Sequence, residues 1–322
     1  MCIALLSTSH PSYALVLASN RDEFISRPTA PATWWNPSHP HVLGGRDLQR
    51  SVRGTWLGIT RQGRLACLTN LRESSTSAAP VSGLQSRGAI ALSYLTVPAD
   101  SRETPAEAAE RIVGTTGVQD VGGFSLLFGQ VRRPGSEGRR EPLGVLSNRT
   151  PDARGVVWIA EGEGEVHGLS NAHFGDGSWP KVASGEQLLR EVLEDNVRTR
   201  GPKGELVERL FELLSIDTLP KREAGQEWDS VVLQLRKSIF IPRLSQNGAD
   251  VKADEIAAAR SKEAVSSSDG AGEVDGVYAT HQQTVILVDM QGHVTFVEKT
   301  LYTGKEHGGD SVRTFEFDIE GW

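Results

Sequence analysis

Apolar positions in this chain come mostly in short runs, each closed by a turn, the pattern of brief strands and not of long helices. Cys2 to Leu6 and Tyr13 to Ala18 flank His10-Pro11-Ser12 and predict two adjacent strands. Thr55 to Ile59 and Leu65 to Thr69 surround Arg61-Gln62-Gly63, a second hairpin. Phe124 to Phe128, Val145 to Ser147 and Val156 to Ile159 continue the series. Near the end, Thr284 to Val288 and His293 to Val297 enclose Met290-Gln291-Gly292, and Thr314 to Ile319 supplies a last strand.

A three-and-four spacing replaces this pattern at a few places. Gly88 to Tyr94 reads as a helix, and so does Ala106 to Val113, with Pro105 in its first turn. Leu188, Leu189, Val192 and Leu193 form one apolar stripe, and Leu206, Val207, Leu210, Phe211, Leu213 and Leu214 another, both read as core packing. Successive hairpins with helices grouped between them predict an α+β fold of mainly antiparallel sheets covered by helices. A four-layer αββα sandwich fits this order, as do other α+β arrangements. Residues 245–276 are polar and rich in Ala, Ser, Gly, Asp, Glu and Lys, so they are expected to be a flexible insertion in a single domain over 1–322.

Composition narrows the functional classes. A 38% hydrophobic and 23% charged chain belongs with globular proteins, and a net charge of -7 opposes binding to a polyanion. The basic cluster Arg132, Arg133, Arg139 and Arg140 reads as a solvated loop around Pro134-Gly135-Ser136, so no nucleic-acid partner is expected. No run approaches the roughly 20 apolar residues of a membrane span. The start lacks a basic leader, and the chain is expected to stay in the cytoplasm. Two cysteines make no disulfide framework, and His39-Pro40-His41 reads as a surface turn, so neither metal nor cofactor is expected.

Chemistry concentrates at the amino end. Removal of Met1 would give Cys2 both a thiol and a free α-amine, and an amine with an ordinary pKa of about 8 can take the proton of a thiol near 8.5. The plain alternative makes Cys2 a packed strand residue, as Cys67 is expected to be. Ser19-Asn20-Arg21-Asp22-Glu23-Phe24 follows the second strand closely, where Arg21 would lower the thiol pKa and hold an anion, and Asp22 would orient the amine or Arg21. A salt-bridged turn closing the hairpin explains the same residues. Trp34-Trp35 reads as core or groove lining, and Glu161-Gly162-Glu163-Gly164-Glu165 as an exposed turn.

Met1-Cys2-Ile3 followed by Asn20-Arg21-Asp22-Glu23-Phe24 and Arg27-Pro28 resembles the opening of the NRDE, or Transport and Golgi organisation protein 2, family. Gly44-Gly45-Arg46-Asp47, Gly54-Thr55-Trp56-Leu57-Gly58, Leu68-Thr69-Asn70, Ser86-Arg87-Gly88, Gly168-Leu169-Ser170-Asn171 and Trp179-Pro180-Lys181 resemble later blocks, and 284–289 adds another. The resemblance implies the αββα fold of N-terminal cysteine acylases of the penicillin V acylase and bile-salt hydrolase kind. It implies Cys2 as nucleophile, Arg21 and Asp22 beside it, Asn70 as oxyanion donor and Asn171 as a second polar contact. It also places Asn20, Arg21, Asp22, Glu23, Trp56 and His281 at a ligand site. In Tyr278-Ala279-Thr280-His281, His281 stands where an arginine is expected, which removes a fixed cation.

Two functions follow from the resemblance. In the first, the cavity binds a small amphipathic ligand, haem or an acyl-CoA or other lipid, in Golgi organisation, secretory transport and lipid or haem homeostasis. Golgi or mitochondrial association and peripheral contact with membranes are implied with it, and the oligomeric state stays open. In the second, the chain is an N-terminal cysteine amidohydrolase cleaving a small amide or thioester through an acyl-Cys2 intermediate.

Overall fold

The computed structural model describes residues 1–71, 86–115, 118, 121–135, 138–222, 226–245, 276–302 and 311–322. The insertion expected at 245–276 lies outside the described residues except at its two ends. The strands are β1 (Ile3–Ser7), β2 (Tyr13–Phe24), β3 (Thr29–Trp35), β4 (His39–Asp47), β5 (Leu57–Thr60), β6 (Arg64–Asn70), β7 (Phe124–Gln130), β8 (Leu143–Ser147), β9 (Val157–Ile159), β10 (Val166–Leu169), β11 (Leu244–Ser245), β12 (Val277–Asp289), β13 (His293–Thr300) and β14 (Ser311–Asp318). The helices are α1 (Gly88–Leu95), α2 (Pro105–Thr115), α3 (Pro180–Thr199), α4 (Lys203–Leu214) and α5 (Trp228–Gln234).

One sheet runs β10-β1-β2-β12-β13-β14, with β11 also on β12, and the other runs β3 to β9 in sequence order. Neighbouring strands pair antiparallel in both. Three apolar clusters separate four layers. Leu15, Leu17, Leu43, Leu65, Ile286 and Phe296 fill the space between the sheets. Ile90, Tyr94, Ala108 and Ile112 seal α1 and α2 onto the second sheet. Leu189, Leu193, Leu206 and Leu210 seal α3 and α4 onto the first. This is the αββα sandwich.

Strand alternation assigns each residue its layer. In β1, Ala4 and Leu6 face the other sheet while Ile3 and Leu5 face the helices. In β2, Leu15 and Leu17 face the other sheet, and Val16 and Ala18 the helices. Ile3 pairs with Asn20, so continuing the register one step sets Cys2 opposite Arg21 on the inter-sheet face, and a second step sets Met1 opposite Asp22 on the helix face.

Several elements differ from the sequence reading. The 19–24 segment is no turn: β2 continues through it to Phe24, because β12 pairs with it along its length. His39-Pro40-His41 opens β4 instead of forming a surface turn, with His41 Nε2 3.1 Å from the Val97 carbonyl. Arg140 is buried and donates to the Ala14 carbonyl at 2.9 Å, so that end of the basic cluster is tied down and not solvated. No helix among the described residues is long and apolar enough to cross a membrane.

Candidate active site

At the end of the sandwich where β1 begins and β2 ends, the inter-sheet core gives way to a cavity of about 360 Å³. Its walls include Cys2, Arg21, Asp22, Glu23, Arg27, Asp47, Arg50, Trp56, Asn70 and Arg87. Cys2 is half-buried, and its Sγ lies 3.8 Å from the Asp22 carbonyl oxygen. Ser170, just past β10, donates to the Cys2 carbonyl at 2.7 Å. The thiol is therefore held between neighbouring strands at the cavity wall.

A second set of contacts fixes the amino terminus. The Met1 ammonium donates to the Tyr278 hydroxyl, which itself donates to the Asp22 carbonyl at 3.0 Å. It also lies 3.2 Å from Asp22 Oδ2, an ion pair without a directed hydrogen bond. Asp22 Oδ1 accepts from Thr280 Oγ1 at 2.7 Å, and that oxygen accepts from the Ile241 N–H at 2.8 Å. On the far side Lys181, near the start of α3 and fully buried, donates to the Met1 carbonyl at 2.6 Å.

Arg21 points the other way, into the inter-sheet face. Its guanidinium lies 4.4 Å from the Trp56 ring centroid and donates to Gln282 Oε1 at 3.2 Å. Trp56 can lie there because Gly45 has no side chain: a Cβ on Gly45 would come within 2.6 Å of the indole. Glu23 is 3.9 Å from Arg21 and 3.7 Å from Arg27, and Arg27 pairs with Asp47 at 2.5 Å. Arg87 stands just ahead of α1, whose first residue packs on Gly54 so closely that a Cβ on Gly54 would meet its backbone at 2.6 Å.

His281 falls at a register shift in β12, with Thr280 opposite Asp22 and Gln282 opposite Arg21. Its Nδ1 is 3.5 Å from Arg21 Nη1 and its Nε2 3.1 Å from the Tyr302 carbonyl. It therefore buttresses Arg21 from behind, outside the set of cavity-lining residues.

The three asparagines separate. Asn70 lines the cavity with Cys2. Asn171 donates through Nδ2 to the Asn70 carbonyl and borders a neighbouring cavity of about 330 Å³ that Met1 and Trp179 also line. Asn20 is fully buried on the helix face, its amide donating to the carbonyls of Leu214 at 2.8 Å and Ile239 at 2.9 Å, so it stitches α4 to the sheet.

Burial dominates the electrostatics. It pushes the Met1 α-ammonium below its ordinary value, against the pull of Asp22, and pushes Lys181 down against Asp22 and Cys2. Burial raises the Cys2 thiol, opposed by the nearby α-ammonium, and raises Tyr278, reinforced by Asp22. Cys67, sealed in the inter-sheet core, is pushed up to about 12. In the cavity four guanidinium groups meet the carboxylates of Glu23 and Asp47, while that of Asp22 is turned to the ammonium. Such a lining suits an anionic group and disfavours a bare metal cation.

Lys181, Tyr278 and Thr280 were not expected at the site. Each lay in a motif recognised for its sequence, but a lysine is normally an exposed residue and nothing local marks it for burial.

Comparison with known proteins places these features in a lineage. The model of the family described as Transport and Golgi organisation 2 matches residues 1–303. The Transport and Golgi organization protein 2 homolog of Bos taurus is 30% identical, over 99% of this chain and all of its own. The Transport and Golgi organization protein 2 of Drosophila melanogaster is 25% identical over 99% of each chain. Among solved structures, the mutant C2A conjugated bile acid hydrolase of Clostridium perfringens covers 99% of this chain and 98% of its own at 10% identity. Its TM-score is 0.36, too low to carry weight.

Proposed function

The chain belongs to the Transport and Golgi organisation 2 family, and from that premise we propose that it serves transport and Golgi organisation by binding a small amphipathic anion beside Cys2. The observation that carries this reading is Arg21, buried, 4.4 Å from the Trp56 ring centroid and hydrogen-bonded to Gln282, so that a guanidinium and an aromatic wall face one cavity. A guanidinium recognises carboxylate or phosphate, and an indole covers an apolar or planar body. Haem and acyl-CoA both offer that combination. Native mass spectrometry of purified protein, then titration with haem and palmitoyl-CoA, tests it. Arg21→Ala and Arg87→Ala should each weaken one of these ligands by about tenfold or more, the worth of one charge-assisted contact. Equal, weak binding by all three proteins defeats the reading.

A second reading has its own observation: Asp22, Tyr278 and Lys181 converge on the amino-terminal residue beside the thiol. With Met1 present the Cys2 nitrogen is an amide and has no basic lone pair. Removal of Met1 makes that nitrogen the α-amine. It then takes the thiol proton, Sγ bonds the acyl carbon of an amide, and the C–N bond breaks as the departing amine receives that proton. Water releases the acyl group as a carboxylic acid and restores the thiol. Intact mass reports whether Met1 is gone. An acyl adduct lost in Cys2→Ala and kept in Cys67→Ala supports the step; retention of Met1 in the native protein rules it out.

A further inference from the structure

We propose that Lys181 is a positioning residue for the amino end: it holds the Met1 carbonyl before Met1 is removed, and afterwards donates to the Cys2 α-amine and keeps that amine in its neutral form. The inference rests on the acyl-transfer reading above. Lys181 is fully exposed to protein and not to water, with 0% of its surface accessible, and its Nζ lies 2.6 Å from the Met1 carbonyl oxygen. A carbonyl oxygen and the nitrogen bonded to the same carbon are about 2.3 Å apart, so the ammonium lies within about 5 Å of the Cys2 nitrogen.

Excision of Met1 removes the oxygen that Lys181 holds. A lysine ammonium has three donors and no acceptor, and a protonated α-amine likewise only donates. Two such groups side by side cannot bond. If either gives up its proton, its lone pair accepts from the other. The α-amine has an ordinary pKa of about 8 and lysine about 10.4, so the α-amine yields first. The groups around the pair act in the same frame: Asp22 from β2 attracts both cations, the Cys2 thiol adjoins both, Tyr278 from β12 presents a hydroxyl, and Trp179, Val232 and Leu235 contribute apolar surface. One carboxylate faces two amines, which leaves one of them uncompensated.

The consequence is a base ready at neutral pH. The neutral amine takes the Cys2 thiol proton and becomes ammonium as the sulfur becomes thiolate, so the net charge of the pair does not change. Asp22 then lies near the new ammonium, as it lies near Met1 now.

The test reads the amine and not turnover. Full-length protein is released from a cleavable fusion with Cys2 at its amino terminus. The α-amine is titrated from pH 5 to 10 by competitive labelling with trace acetic anhydride, and S-acetyl groups are stripped with hydroxylamine before mass spectrometry. Wild type should titrate below pH 8, Lys181→Met at least about one pH unit higher, and Lys181→Arg close to wild type, because arginine keeps the charge. Equal midpoints in wild type and Lys181→Met overturn the proposal. Circular dichroism on both variants establishes that they fold; if the methionine variant does not, Lys181→Gln takes its place with the same expected rise, and a midpoint equal to wild type overturns the proposal. A low midpoint in wild type with no acyl adduct at Cys2 would leave Lys181 in its role and defeat the acyl-transfer reading alone.

Discussion

Asp22→Asn is the sharpest test of the amino-terminal cluster, since it keeps size and the Thr280 contact and removes the charge facing the α-ammonium. Leaving a buried charge without its partner costs about 3–5 kcal/mol if the charge persists. The amine has a cheaper route. Shedding its proton at pH 6, about two units below its ordinary value, costs roughly 3 kcal/mol, which caps the loss there, since the wild-type amine already lies below that value. At pH 9 the amine is neutral in the unfolded chain too, and only the charge-assisted part of the Thr280 hydrogen bond is lost, about 1 kcal/mol. Burial already holds the folded amine below its ordinary value, and losing Asp22 lowers it further. Between the folded and unfolded values the unfolded chain binds more protons, so the variant gains stability as pH rises and levels off above about 8. Urea denaturation of both proteins at pH 6 and 9 measures this. A penalty of the same size at both values would refute the claim that Asp22 acts on the amine's charge.

Three further outcomes are expected. Iodoacetamide at pH 8 should label Cys2 and spare Cys67, whose thiol is pushed up to about 12 in the sheet interface; equal labelling in folded protein, mapped by mass spectrometry, contradicts that. Glu298 is buried, accepts from the Ala32 N–H at 2.7 Å and is raised to about 7, so between its unfolded value and 7 the folded state holds the extra proton and stability falls as pH rises. Glu298→Gln should remove that fall and stabilise the protein by roughly 3 kcal/mol above pH 7 while changing little at pH 4, read from denaturation at both. Asn20→Ala should cost about 2–4 kcal/mol by orphaning the carbonyls of Leu214 and Ile239, without changing affinity for haem or palmitoyl-CoA in the titrations above.

Where an element was legible in the sequence, the reason was local. The 2–6 and 13–18 segments are unbroken apolar runs closed by a turn, and the stripes of α3 and α4 repeat every three or four residues, so neighbouring residues suffice to identify them. Strands β3 and β4 carry Pro31 and Pro40, with Pro37 between them, and were not read, because their pairing is supplied by each other and by β5. Lys181 belongs to the same class at the level of the site. Its burial is created by α3 packing on β1 and by the Met1 carbonyl, 180 positions away in the chain.

The 19–24 segment shows most clearly what local reading misses. A row of polar residues after an apolar run looks like a turn, and a turn would let all of them converge on one point. As strand, the row is divided by parity. Asn20 and Asp22 face the helix layer, where one ties down α4 and the other meets the amino terminus; Arg21 and Glu23 face the sheet interface and the cavity. A strand polar on both faces cannot be justified by core packing on either, because each buried polar group must be matched by a partner. Here the partners come from the amino terminus, α4, β12 and the loop carrying Trp56, segments that only the fold brings together. The same alternation that puts Leu17 and Ala18 in different cores thus gives Arg21 and Asp22 different tasks on either side of Cys2, the guanidinium in the cavity and the carboxylate at the amine.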